Sequence, residues 1–183
     1  MIVKALPLSG AFEISPEIHT DKRGYFFEWF NMEKFQKETN VSFQPLQFNC
    51  SKSTKGVLRG MHFQRTPHAQ SKLVAVTKGE IQDVIIDVRK DSPTFGQHYS
   101  TILSESNKNQ LFVPKGFAHG FLVLSEEAEI FYAIDNFYAP DYEEGVCYND
   151  PELKINWMLD ENEIILSDRD KTYASFTNAS LKF

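Results

Sequence analysis

Arg59, His62 and Lys72 stand close together in two short runs, Val57-Leu58-Arg59-Gly60-Met61-His62-Phe63-Gln64 and Gln70-Ser71-Lys72-Leu73-Val74. An arginine offers a planar fork of donors that keeps its charge, which suits a phosphate. A histidine exchanges a proton near neutral pH. A neighbouring lysine can stabilise an oxyanion that forms only in the transition state. Together these types point to proton abstraction beside a carbonyl, on a substrate that also carries phosphate. Five histidines are present, and His19, His68 and His98, standing outside any wider pattern, read as surface or hydrogen-bonded structural residues.

The elements that must hold these groups read as β-strands. Leu73 to Thr77 ends at the hairpin signal Lys78-Gly79-Glu80, and Ile81 to Val88 resumes with partial alternation. Asp91 to Gly96 has turn composition, Tyr99 to Leu103 and Gln110 to Val113 read as strands, and Pro114-Lys115-Gly116 stops the latter. Gly120 to Leu124 and Ala128 to Ile134 continue the series. Asn31 to Glu38 is the one helical run, with Asn31 as N-cap and Glu33 in the first turn. Leu159 to Arg169 has room for a short turn or helix, and the acidic, less regular chain from Asp141 onward is expected to cross the mouth of a barrel. Strands at this spacing predict an all-β sandwich or barrel, of which the jelly roll is one closure.

Length and composition narrow the classes. The 183 residues fit a single domain, 1–183, with 42% hydrophobic and 24% charged residues. No apolar run reaches the ~20 residues needed to span a bilayer, and the N-terminal stretch lacks a secretory pattern, so a cytoplasmic protein without membrane association is expected. A net charge of −6 and a pI near 5.4 disfavour a nucleic-acid surface but leave room for a local cationic pocket. Cys50 and Cys147 are expected to be reduced thiols and lack a CxxC partner. The 16 phenylalanines predict a ring-rich core, with some rings free to stack on a base.

Pro114-Lys115-Gly116-Phe117-Ala118-His119-Gly120 matches the second motif of the cupin superfamily, Pro-x-Gly-x-x-His, whose histidine binds metal in metal cupins. The first motif should add two histidines and a glutamate. Here that place reads Gly60-Met61-His62-Phe63-Gln64, leaving two ligands where a divalent ion wants at least three, so no metal is expected.

Over nearly its whole length the chain resembles the dTDP-4-dehydrorhamnose 3,5-epimerase family of metal-free cupins. The segments that carry the resemblance run in family order: Asp21 to Glu28, Gln47 to Ser51, Val57 to Gln64, Gln70 to Val74, Pro114 to Phe121, Phe131-Tyr132, Phe137 to Pro140, Asn149 to Pro151 and Leu166 to Asp170. The resemblance implies a cupin-type jelly roll with a few short helices and no cofactor. It implies a dTDP-4-keto-6-deoxyhexose substrate inverted at C3 and C5, in dTDP-L-rhamnose and cell-surface polysaccharide biosynthesis.

It also assigns roles. His62 would be the base, Asp170 its partner, Tyr132 the acid on the opposite face and Lys72 the enolate's cation. Arg23, Phe26, Glu28, Gln47, Asn49, Arg59, His119, Glu143 and Arg169 would contact the nucleotide-sugar, with Arg59 on the diphosphate, and Tyr138 would stack on thymine. Arg23, Phe26 and Glu28 would do so from the neighbouring subunit of a homodimer. Taken one at a time, Tyr132 and Tyr138 are ordinary core or rim residues and Asp170 an ordinary turn residue; only their joint occurrence singles them out.

Three departures from the family pattern stand out: Arg169 in place of lysine, Cys147-Tyr148 in place of Arg-Trp, and apolar Phe48 and Cys50 around Gln47 and Asn49. They bear on which sugar is taken and how many centres are inverted. A single-centre epimerase or ketoisomerase on a related sugar, a metal-dependent cupin using His62 and His119, and a non-catalytic nucleotide-sugar sensor are the competing readings.

Overall fold

Thirteen strands and one α-helix organise the chain in a computed structural model that describes residues 1–179 and 181. In chain order they are β1 Ile2–Ala5, β2 Phe12–Ser15, β3 His19–Asp21, β4 Gly24–Phe26, α1 Met32–Thr39, β5 Gln47–Thr54, β6 Leu58–Gln64, β7 Lys72–Lys78, β8 Glu80–Asp87, β9 His98–Ser104, β10 Gln110–Val113, β11 Phe117–Val123, β12 Glu127–Ile134 and β13 Glu143–Gly145. A six-stranded sheet runs β1-β2-β10-β7-β12-β5 and a five-stranded sheet runs β13-β6-β11-β8-β9, while β3 and β4 form a separate hairpin. All named strand pairs are antiparallel. The main core lies between the two large sheets, where Val74, Val76, Leu111 and Ile130 of one meet Ile81, Ile85, Leu103 and Val123 of the other. This is the expected jelly-roll architecture, all β with short helices.

The strands expected from Leu73 onward are present, each within a few residues of its reading; β11 starts at Phe117, three residues before the predicted Gly120. The alternation in β8 is only partial because both its faces are covered. Ile81 and Ile85 face the inter-sheet core, whereas Val84 and Ile86 pack under Val146, Leu153, Phe176 and Leu181 of the C-terminal chain.

Asn31 caps α1, its Oδ1 accepting from the Lys34 amide at 3.0 Å, and Asn40 ends it in the left-handed region at φ 59°. The helix buries Phe35 completely against Phe112, one of a nest of rings with Phe12, Phe30 and Phe43. Much of the phenylalanine surplus is therefore structural.

From Asp141 onward the chain has few regular elements, as predicted, and its 3₁₀ turn at Glu161–Glu163 is the short helix anticipated between Leu159 and Arg169. It is nevertheless firmly attached. Trp157, Leu159, Ile164 and Leu166 pack on Leu58 and Leu122, and a parallel bridge joins Val57 to Ile165. That bridge delivers the following Ser167–Asp170 segment to the open end of the sandwich.

Candidate active site

Alternation along β5, β7 and β12 decides which side chains of the six-stranded sheet face inward. On β12, Ile130, Tyr132 and Ile134 face the space between the sheets, while Phe131 lies outside, between Phe48 and Trp29. On β7, Lys72 precedes core-facing Val74 and Val76. On β5, polar Gln47, Asn49 and Ser51 face inward and Phe48 is left exposed. The inner wall of this sheet thus carries a phenol, an ammonium group and a polar stripe.

The opposite wall depends on a bulge. Arg59 and His62 are three residues apart, so a regular strand would send them to opposite faces. The pairing of β6 with β11 slips instead: His62 faces His119 and Arg59 faces Phe121, three steps on one strand against two on the other. The extra residue restores parity and turns both side chains into the cleft. Gly60 makes the slip possible. Its φ is +130°, and a Cβ there would lie 2.5 Å from the Gly120 Cα.

Two cavities of about 260 and 600 Å³ result, sharing His62, Lys72, Tyr132, Tyr138 and Glu143 as lining residues. They form one cleft of the size small-molecule sites use. His62 Nε2 donates to Asp170 Oδ1 at 2.5 Å, which leaves the other ring nitrogen as the proton acceptor. Asp170 is nearly buried. Burial works to raise its pKa, but the His62 ring, Ser167 and the Gly60 amide more than offset this, so the carboxyl sits below its usual range. His119 Nε2 sits 3.0 Å from both carboxylate oxygens of fully buried Asp83 on β8. Both histidines are therefore engaged by carboxylates, and among the described residues no three His, Cys, Asp or Glu side chains converge as a metal site requires.

Lys72 is pushed down to about 8 by removal from water, against the pull of Glu143 and Asp83. Burial raises Tyr132, opposed by Arg59 and reinforced by Glu143, so its phenol keeps its proton across the neutral range. Arg59 Nε donates to Ser53 Oγ at 3.0 Å, leaving donors of its fork for a ligand. At the cleft mouth Arg169 pairs with Glu143 at 3.2 Å, and the Tyr138 hydroxyl bonds both of them; Glu143 dominates and raises that phenol.

Of the residues expected at the site, His62, Lys72, Tyr132, Asp170, Gln47, Asn49, Arg59, His119, Tyr138, Glu143 and Arg169 line this one cleft. Arg23, Phe26 and Glu28 do not. Arg23 and Phe26 stand on the exposed β3–β4 hairpin, where Arg23 pairs with Asp21, and Glu28 pairs with Lys34. Asp83, Ser53 and Tyr173 belong to the site's surroundings without having been anticipated. Asp83 carried a usable signal, since a carboxylate set directly before the apolar run Val84-Ile85-Ile86 needs a partner if it is buried with that run. Of the departures, Tyr148 packs on Trp157 in the tail cluster rather than in the cleft, and Cys50 and Phe48 face outward.

A base paired to a carboxylate on one sheet, with a phenol and an ammonium group on the other, defines an isomerase on a jelly-roll frame. The family profile described as dTDP-4-dehydrorhamnose 3,5-epimerase matches residues 5–178. The Shigella flexneri enzyme of that name is 46% identical over 164 residues, 90% of each chain. The crystal structure of dTDP-4-dehydrorhamnose 3,5-epimerase from Elizabethkingia anophelis NUHP1 superposes with a TM-score of 0.94 at 45% identity, covering 97% of both chains. A 3,5-epimerase from Legionella pneumophila Philadelphia 1 in complex with dTDP-4-keto-L-rhamnose gives 0.92 at 40% identity, covering 97% of this chain and 93% of that one. The chain belongs to the dTDP-4-dehydrorhamnose 3,5-epimerase family.

Proposed function

We propose that this chain, acting as one domain in the cytoplasm and without a cofactor, converts dTDP-4-dehydro-6-deoxy-D-glucose to dTDP-4-dehydro-L-rhamnose by inverting C3 and C5. The observation that carries the reading is the placement of His62 on one sheet and of Tyr132 and Lys72 on the other, around a single cleft. His62 takes the proton from the carbon beside the C4 ketone, and the electrons of that C–H bond pass into an enolate. The Lys72 ammonium stabilises the enolate oxygen. Tyr132 returns a proton to the opposite face, and solvent then resets the imidazolium and the phenolate. The same cycle at the other neighbouring carbon inverts the second centre.

The magnitudes favour this division of labour. General base catalysis is worth roughly 10²–10⁴-fold, about 3–5 kcal/mol of barrier. Stabilisation of the enolate must supply several kcal/mol more, and an ammonium in a partly dry cleft can do so. Arg59 takes the diphosphate, Tyr138 the thymine face, and Gln47, Asn49, His119, Glu143 and Arg169 hold the remaining polar groups. Arg23, Phe26 and Glu28 approach from a partner subunit, for which the exposed hairpin and the exposed Glu28 just beyond it are suited.

Incubation with the substrate in D₂O should place deuterium at both C3 and C5. Label at one carbon alone would indicate a single-centre enzyme. Tight dTDP binding with no label would indicate a sensor, and activity lost to a chelator would indicate a metal cupin.

A further inference from the structure

The His62 imidazole is fixed at Nε2 by Asp170, but one hydrogen bond leaves it free to swing about that bond. Tyr173 stands against it on a second side. The two rings meet edge to face, with centroids 5.4 Å apart and planes at 70°. Tyr173 follows directly on the 3₁₀ turn Asp170–Thr172, so the same turn supplies both the carboxylate and the ring. Its position is set from behind. Gly145 on β13 lies opposite His62 in register, and a Cβ on Gly145 would fall 2.5–2.6 Å from three carbons of the Tyr173 ring. The next residue is tied to the same strand's continuation, with the Cys147 amide donating to the Ala174 carbonyl at 2.9 Å. The Tyr173 hydroxyl is buried without a hydrogen-bond partner among the described residues, so packing of the ring, not a bond through the hydroxyl, fixes the side chain. Burial also pushes that phenol up to about 12, which removes it from proton transfer near neutrality.

We propose that Tyr173 is a positioning residue: its ring, seated on Gly145, holds the His62 imidazole in line with Asp170 and aims its free nitrogen at the substrate. The contribution to turnover rests on the epimerase reading above; the contribution to the His62–Asp170 geometry does not. A small misplacement of a reacting group can cost about 10²-fold in rate, which sets the scale of the expected effects. Tyr173→Ala should lower kcat by about 10- to 100-fold with KM within about twofold of the parent. In the free protein, the His62–Asp170 hydrogen bond should give the parent a downfield proton resonance that broadens or vanishes in Tyr173→Ala. Tyr173→Phe should keep both kcat and the resonance. Gly145→Ala should reproduce the Tyr173→Ala losses, and should add nothing further in the Tyr173→Ala background, where no ring remains to collide with.

If Tyr173→Ala does not fold, Tyr173→Leu keeps apolar bulk without the ring edge and carries the same readouts. Parental kcat and an intact resonance in Tyr173→Ala or Tyr173→Leu would overturn the proposal. So would losses in Tyr173→Phe as large as in Tyr173→Ala, since the hydroxyl would then be the agent. Should the parent protein itself show no exchange of substrate protons, the epimerase reading fails, and the resonance in the free protein still decides the role of Tyr173.

Discussion

Lys72 is the residue whose chemistry is most exposed to pH. Its ammonium is present below about 8 and is lost as pH rises through that value, while Tyr132, raised by burial, keeps its proton beyond it. The kcat/KM profile should therefore fall on the alkaline side with a midpoint near 8, and kcat should fall at higher pH, because a bound dianionic substrate adds negative charge to the cleft. Lys72→Arg should flatten this limb while lowering kcat, since a forked guanidinium keeps its charge but places it differently. A limb unchanged in Lys72→Arg would assign the titration elsewhere. His62 and Lys72 were legible as residues because their types name a reaction, whereas Tyr132 was legible only through the family pattern in which it occurs. Tyr173 was not: a lone aromatic in an irregular tail carries no pattern, and its meaning comes only from the ring it touches.

At the scale of elements, the bulge in β6 matters most, because it brings Arg59 and His62 to one face. Gly60→Ala places a Cβ against the Gly120 Cα in a backbone region that side chains rarely adopt. It should cost about 2 kcal/mol or more, lowering Tm by roughly 5 °C or more and depressing activity through the misdirected His62. A parental Tm in Gly60→Ala would mean that the two strands can part without penalty. The parity slip itself cannot be read from sequence, since spacing alone puts Arg59 and His62 on opposite faces. Strand β5 was hidden for a different reason. Its inward side is polar because it lines the cleft, and Phe48 faces out, the reverse of the pattern by which half-buried strands are recognised. Helix α1 was legible because Asn31 sits where a cap should, ahead of a run that buries Phe35.

For the whole molecule, strand spacing pointed to a sandwich or barrel and the family resemblance narrowed it to the jelly roll, while the covered outer face of β8 follows from the C-terminal chain that packs on it. What one chain leaves open is also informative. Tyr25 and Phe26 on the β3–β4 hairpin are largely exposed, and Tyr25, Phe27, Trp29, Phe131 and Phe48 form a continuous series of ring contacts. Exposed rings in such number favour burial against another surface. Light scattering should give a homodimer, and Arg23→Ala should raise KM with a smaller effect on kcat, as the proposed reach of Arg23 into a partner's cleft requires. An active monomer, or Arg23→Ala with parental kinetics, would remove the arm from the site.

Inversion requires a donor on the face opposite the base, so the most direct measurement follows the Tyr132→Phe and His62→Ala variants with the keto-sugar in D₂O, scoring label and configuration separately. Two-face proton transfer predicts that Tyr132→Phe still washes deuterium into the carbon beside the ketone, returned by the imidazole with retention, while inverted product falls by at least about 10²-fold. His62→Ala should lose label and inversion together. Inverted product at the parental rate from Tyr132→Phe, or label persisting in His62→Ala, would contradict it.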